Sequence, residues 1–475
     1  MRHQRAGPGV NELARRLVQR AWLLVLLLAA LPLPAAAEDG YELWLRYRPL
    51  PAQQADALCT RAGELVMPTP SPTLAAARDE LLRAFEAFLG RMPAMADAPS
   101  SSGALLAGTP TSLPLLRELG LDLSALGSEG YLLRSLVVRG RPATVIAANS
   151  DVGVLYGAFA LLRRVQAGVP LEGLDMREAP RVKVRVLNHW DNLDGHVERG
   201  YAGASIWDWW KLPDYVDPRH TDYARANASL GINGTVLNNV NANATILTPR
   251  YLAKVRAIAD VLRPYGLRVY LSARFSAPME IGGLATADPL DEDVRAWWRA
   301  KAEEIYALVP DFGGFLVKAN SEGQPGPQDF GRTHADGANM LAEALAPHGG
   351  IVMWRAFVYS QHNPDDRARQ AWTEFKPLDG KFRDNVLVQV KNGPIDFQPR
   401  EPFSPLFGAM PGTPLMMEFQ ITKEYLGFAT HLVYLGTLYE EVLQADTHAR
   451  GAGSTVARVV TGELHGHALS GMAGV

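Results

Sequence analysis

The sequence predicts a (β/α)8-type barrel, apparently incomplete at its last strand, preceded by a small α/β domain. Three observations carry this. From residue 182 onward, short continuous apolar segments recur with amphipathic stretches between them. Such segments imply a parallel sheet covered on its outer face, and their regular repetition favours a barrel over an open sheet. No glycine-rich phosphate loop follows the first segment, which counts against a nucleotide-binding doubly wound sheet.

The elements follow in chain order. Arg15, Arg16 and Arg20 precede the apolar run 22–28, and Ala35, Ala36 and Ala37 supply small residues for cleavage. That order reads as a secretory signal peptide, residues 1–37, with an apolar part too short to span a bilayer. A periplasmic or secreted chain, cleaved near Ala37 and with no stable membrane association, is the expectation; an uncleaved anchor is the alternative. Residues 38–179 read as the N-terminal α/β domain. Alternation over 41–47 predicts a strand, and Leu81, Leu82, Phe85 and Phe88 fall on one face of a helix over 74–89. The segments 131–138 and 143–148 flank a turn at 139–141 and read as a hairpin. Asn149, Ser150 and Asp151 then stand where a cap for the apolar helix 152–165 belongs.

Residues 180–475 read as the barrel. Its candidate strands are 182–187, 234–237, 267–271, 314–317, 351–354, 386–390 and 415–419. Helices are expected over 250–265, 291–308, 338–346, 365–375 and 432–443, and the Pro-rich stretch 397–413 as a long loop. Seven strands are one short of closure. The segment 471–475 reads only as the approach to an eighth, so the barrel is expected to stay open, with two unpaired strand edges.

Composition narrows the function. Hydrophobic residues make up 47% and charged residues 20%, as in an ordinary globular chain. The net charge is −3 overall, and residues 1–37 carry five of the arginines, so the remainder is more acidic still. That balance argues against nucleic acid as a partner. Cys59 is the single cysteine, so an internal disulfide and a thiolate metal site are both ruled out. The 11 histidines form no His-Glu-x-x-His pair, and no Gly-x-Ser-x-Gly context surrounds a serine. No metal and no cofactor are assigned.

Barrel enzymes carry their chemistry just past the C-terminal ends of the strands. Those positions hold Asn188 to Asn192, Asn238 to Asn241, Ser272 to Arg274, Lys318 to Gly323, Arg355, Lys391 to Asp396 and Gln420 to Tyr425. Carboxylates for proton transfer, amides for hydroxyls and an aromatic face for a sugar ring converge on one rim. Each has a plainer reading. Glu322 alone could be a loop ion pair, Asp396 a turn, Lys318 and Lys391 solvated cations, Asn238 to Asn243 a turn cluster. Trp207, Trp209 and Trp210 could equally be packing.

The runs Asn188-His189-Trp190-Asp191-Asn192, Lys318-Ala319-Asn320-Ser321-Glu322-Gly323, Lys391-Asn392-Gly393-Pro394-Ile395-Asp396 and Glu418-Phe419-Gln420-Ile421-Thr422-Lys423-Glu424-Tyr425 resemble glycoside hydrolase family 67, the α-glucuronidases. So do the stretches 198–207, 233–241 and 354–359. The resemblance implies an inverting hydrolase. Its reaction removes glucuronic acid, or the 4-O-methyl form, from the 2-hydroxyl of the terminal xylose of xylo-oligosaccharides. It implies Glu322 as general acid and Asp396 with Glu424 as the carboxylates that activate water. Lys318, Arg355 and Lys391 are implied around the uronic acid, and Trp190 and Val240 against the sugar and its methyl group. It also implies a last barrel strand and a helical, dimer-forming C-terminal domain beyond this sequence, so a homodimer contact is not expected here. Physically, the acid must be protonated near neutral pH, which calls for burial or a nearby negative charge. A uronic acid's own carboxylate calls for cations.

Two rivals stand beside this. One is a truncated, inactive remnant that at most binds uronic acids. The other is a retaining hexosaminidase, which would favour adjacent acids at the fourth strand's end, where Ser321-Glu322-Gly323 supplies one.

Overall fold

The computed structural model describes residues 20, 22, 38–100, 103–199, 203–359, 367–395, 401–421 and 434–475. The expected signal segment lies almost wholly outside them. Among them, no helix is long and apolar enough to cross a membrane. Residues 38–46 belong to a first unit, Met1–Arg46. Where alternation predicts a strand over 41–47, the chain makes a single 3-10 turn, Leu43–Leu45, with Tyr41, Leu43 and Trp44 exposed. A strand pattern holds only where a neighbour takes its backbone groups. No described ladder includes this segment, and φ of +53° at Leu43 breaks the extended backbone.

The second unit, Tyr47–Val475, holds two sheets. The first is mixed, built from β1 (Glu64–Val66), β2 (Ala94–Met95), β3 (Ala104–Gly108), β4 (Tyr131–Val138), β5 (Arg141–Ala148) and β6 (Asp175–Glu178) in the order β2-β1-β3-β5-β4-β6. Strands β4 and β5 form the expected hairpin. Its two-residue turn has Arg139 at φ +51° and Gly140 at +78°, the left-handed pair that a tight hairpin of this twist requires. Helices Pro72–Leu89 and Asp151–Gln166 pack together beside the sheet. Each starts on a serine whose hydroxyl accepts from the first turn, Ser71 from Leu74 and Ser150 from Gly153.

This domain is tied to the barrel by polar contacts. Glu80 of helix Pro72–Leu89 is 3% exposed. It accepts from Arg225 of the barrel helix Arg219–Ser229 at 2.7 and 2.9 Å, and from the Tyr47 hydroxyl at 2.6 Å. Glu129 likewise accepts from Arg185 and Asn233 at the N-terminal mouth of the barrel.

The second sheet is a closed parallel barrel of β7 (Val184–Asn188), β8 (Gly234–Val236), β9 (Arg268–Ser272), β10 (Gly314–Val317), β11 (Ile351–Arg355), β12 (Val386–Lys391), β13 (Leu415–Phe419) and β14 (Gly471–Gly474). The first seven fall where the apolar runs predict them, to within two residues. The expectation of an unclosed barrel is corrected. Strand β14 pairs with β13 from Met416 to Phe419 and with β7 from Val184 to Leu187. The tail continues the seam, with Val475 donating to Phe419 and accepting from Ile421, both at 2.9 Å. Gly471 faces the interior, where a Cβ would come within 2.9 Å of the Met416 side chain and 3.1 Å of Leu387. The strand is small because its neighbours are large.

Strand side chains alternate, so residues two apart share a face. One interior layer is apolar: Val186, Val236, Tyr270, Leu316, Met353, Leu387, Met416 and Ala473 form one buried cluster. Two residues further along the same strands, the inward positions become Asn188, Ser272, Lys318, Arg355, Gln389 and Glu418, all 5% exposed or less. The interior therefore changes from hydrocarbon to charge within about 7 Å of strand rise.

Candidate active site at the C-terminal mouth of the barrel

Lys318 follows directly on β10 and is buried, 4% exposed. Its ammonium donates to Asn241 at 2.8 Å and forms an ion pair with Glu322. Glu322 stands four residues on, in a loop that turns sharply. Asn320 and Glu322 adopt φ of +53° and +47°, a region that side chains other than glycine's enter at a cost of about 1–3 kcal/mol each. Strand β11's loop holds this turn in place. The Tyr359 amide donates to the Ser321 hydroxyl at 3.0 Å, and the Glu322 amide to the Tyr359 carbonyl at 3.4 Å.

Arg355 ends β11. Its guanidinium meets Glu418 of β13 through two bonds, 2.8 and 2.6 Å, and Gln389 of β12 donates to the same carboxylate at 2.6 Å. Both members of the pair are almost wholly buried, with side chains 2% and 1% exposed. Burial alone would raise the Glu418 pKa, but Arg355, Lys391 and Gln389 outweigh it and hold the carboxyl below its ordinary value. Lys391, 5% exposed, sits over the Phe357 ring at 2.9 Å from the ring centre, with Arg355 at 5.5 Å on that ring.

Glu322 is the point of tension. Burial pushes its pKa up, yet the bonded ammonium of Lys318, with Lys391 and Arg199 further off, pulls harder, so the net shift is downward. For Lys318 burial wins: with Arg355 nearby it lowers the ammonium's pKa despite Glu322 and Glu198. Of the conditions that would keep Glu322 protonated, partial burial is present, and the bonded cation works against it. The cation beside it favours the carboxylate.

The remaining expected groups are placed as follows. Trp190 is half-buried and packs on the barrel's apolar cluster, to which Val240, 4% exposed, also belongs. Asp396 and Glu424 lie outside the described residues; each follows by five positions a strand end on this rim, Lys391 of β12 and Phe419 of β13. Trp207 and Trp209 are buried to 1%, so they are packing. Trp207 lies against His189, His220 and Tyr223. His189 itself is held between Asp191 at 3.2 Å and the Tyr223 hydroxyl at 2.9 Å.

The asparagine cluster is largely structural. Asn238 exchanges two bonds with the Ser272 backbone, and Asn239 bridges Trp190, Asn192 and Glu198. Asn241 alone reaches a cation. Beside it a cavity of about 250 Å³ opens between the ends of β7 and β8, lined by Asp191, Asn192, Asn239 and Asn241 among others. Two interior amides have spare capacity. Both polar atoms of Asn188 and the Gln389 carbonyl oxygen are buried without a hydrogen-bond partner among the described residues. An unsatisfied buried polar atom costs about 1–3 kcal/mol, a cost that a buried water or a polar ligand would offset.

Sequence reasoning missed Glu418 and Gln389 as site residues, because they lie inside strands rather than in the loops that follow. Strand parity identifies both: Glu418 is two residues from Met416, and Gln389 two from Leu387.

A closed parallel barrel with carboxylates, cations and amides gathered at the C-terminal ends of its strands defines a (β/α)8-barrel of the enzyme type. Comparison with known proteins gives the family. The glycosyl hydrolase family 67 N-terminus matches residues 43–161, and the family 67 middle domain matches residues 164–475. The chain belongs to glycosyl hydrolase family 67. It is 42% identical over 470 residues to alpha-glucuronidase A of Emericella nidulans, covering 95% of this chain and 54% of that protein. Against the alpha-glucuronidase of Hypocrea jecorina it is 42% identical over 475 residues, covering 95% and 55%. The chain thus spans about half the length of these relatives. A solved GH138 enzyme targeting pectin rhamnogalacturonan II shares the fold, with a TM-score of 0.52 at 14% identity over 86% of this chain and 46% of that one.

Proposed function

We propose that this chain carries the catalytic barrel of an exported α-glucuronidase, which removes glucuronic acid or its 4-O-methyl form from xylo-oligosaccharides with inversion. The observation that carries the reading is the gathering of Lys318, Arg355, Lys391 and Glu322 at one mouth of a closed barrel. Neutral-sugar chemistry has little use for cations gathered at one mouth, whereas a uronate's carboxylate calls for one. The names of its relatives point the same way.

In this reading Glu322 donates a proton to the glycosidic oxygen as the bond to the anomeric carbon breaks. A water, deprotonated by Asp396 and Glu424, attacks the opposite face, and its oxygen forms the new bond. An inverting site keeps acid and base carboxyls roughly 6.5–9.5 Å apart to admit that water. Lys318, Arg355 and Lys391 orient the uronate, and Trp190 with Val240 supplies apolar surface for the ring and methyl group. The test is release of glucuronic acid from an aldouronic oligosaccharide, with the anomer first formed read by NMR. β-Glucuronic acid as first product supports the reading. Retained activity in Glu322→Ala removes Glu322 from the acid role.

A second reading, uronic-acid binding without hydrolysis, is favoured by the ion pair that holds Glu322 ionised. It predicts binding of glucuronic acid with no release from the oligosaccharide.

A further inference from the structure

We propose that the carboxylate of a bound uronic acid takes Lys318 from Glu322, so that the substrate itself turns an ion-paired carboxylate into the reaction's acid. This deepens the uronic-acid reading above and rests on it.

The geometry singles out Lys318 among the three cations. Arg355 is locked to Glu418 through two bonds, and both side chains are at most 2% exposed. Withdrawing it would leave Glu418 charged and alone in the interior, the costly way to break a buried pair. Lys391 is seated on the Phe357 ring. Lys318 is equally deep, with its side chain 2% exposed, but its partner is different: the Glu322 side chain is 36% exposed. A carboxylate at the rim can be handed to water, or take a proton from it, when its cation turns elsewhere. Asn241 also holds the ammonium, at 2.8 Å, so the cation stays in place while its carboxylate partner changes.

The charges that face this pair set the outcome. Glu322 faces Lys318, Lys391 and Arg199, while Lys318 faces Arg355, Glu322 and Glu198. A uronate on Lys318 cancels the main attraction that keeps Glu322 ionised and adds a like charge beside it. Burial, the largest influence on this carboxyl, and the new repulsion then favour the neutral form against the weaker attraction of Lys391 and Arg199. Glu322 then takes a proton from solvent on binding. That proton passes to the glycosidic oxygen when the bond breaks, and the attacking water yields its own to the base carboxylates. When the uronic acid leaves, Lys318 returns to Glu322. A neutral hexose of the same shape cannot arm the acid, so selectivity for uronic acids is exerted on the chemical step as well as on binding.

Proton uptake is the readout. Glucuronic acid is titrated into the chain by calorimetry at about pH 5.5, where a lysine-paired carboxyl is ionised and one raised well above its ordinary value by burial and a like charge holds its proton. Buffers of different ionisation enthalpy give the number of protons exchanged. The expected result is uptake approaching about one proton per uronate bound in the wild type, and none in Glu322→Gln or in Lys318→Met. Binding without uptake in the wild type, uptake that persists in Glu322→Gln, or no binding of glucuronic acid at all would each overturn the hand-off. The underlying function is judged separately by sugar release. Release without proton uptake discards the hand-off and keeps the hydrolase; uptake without release does the reverse.

Discussion

Two layers of the same barrel, about 7 Å apart along the same strands, are built on opposite principles. The lower layer is Val186, Val236, Leu316, Met353, Leu387 and Met416, held by close packing alone. The upper one, Asn188, Lys318, Arg355, Gln389 and Glu418, buries charges, and some of its amide atoms find no partner among the described residues. Hydrocarbon packing stabilises without reservation. A buried polar layer costs desolvation and is repaid only when its partners are complete. The lower layer therefore reads as the element that keeps the barrel closed, and the upper one as the element that makes it useful.

Substitutions can break that contrast from either side. The largest effect is expected from Glu322→Gln, which should lower kcat on the order of 10²–10⁴-fold and, because it takes the carboxylate partner from the buried Lys318 ammonium, also lower the unfolding free energy. Glucuronic acid release and urea titration measure the two. Glu418→Ala should do both kinds of damage, because it strands Arg355 in the interior; a stability loss of about 3–5 kcal/mol is expected. A midpoint unchanged in urea would remove the pair from the barrel's architecture. Leu316→Ala in the lower layer should cost about 2–5 kcal/mol and leave the KM of the folded fraction unaltered.

Acidity sharpens the comparison next. His334 is buried against Trp354 and Phe375, and burial depresses its pKa despite Glu374 at 3.0 Å. The unfolded chain then binds a proton that the folded one refuses. Stability should fall as pH drops below the ordinary histidine value, and fall further through the carboxylate range as Glu418, also depressed, is titrated. His334→Gln should flatten the first part of that loss in a Tm-against-pH series. The smallest effect is expected far from the barrel. Ser150→Ala removes the cap of helix Asp151–Gln166 and should cost about 1 kcal/mol, with no change in any pH profile of sugar release.

These contrasts also explain what could be read from the chain in advance. Strands β7 to β13 announce themselves because a strand covered on both faces must be apolar throughout. Gly471-Met472-Ala473-Gly474 carries no such signal. Its inward positions are small to make room for Met416 and Leu387, a demand set by neighbours in space. Over 41–47 the reverse holds: alternation is present, but no ladder among the described residues takes the segment up. At the mouth, Lys318, Arg355, Lys391 and Glu322 were visible as residues at strand ends. Their pairing was not, because which carboxylate meets which cation depends on register across strands. That pairing sets a cation beside the carboxyl from which the acid role is expected.

The seam that shuts the barrel has a consequence for how the molecule comes into being. Lys183 donates to the Ser470 hydroxyl across 287 positions of chain, and β7 finds one of its two neighbours only when β14 arrives. Contacts so distant in sequence form late, since a long loop must be ordered before any bond rewards it. The mixed sheet is assembled from strands that have all left the ribosome well before then. During synthesis β7 and β13 thus wait with bare edges, a template for pairing with another nascent chain. A helper that shields those two edges should raise the yield of soluble product more than one that assists the earlier sheet.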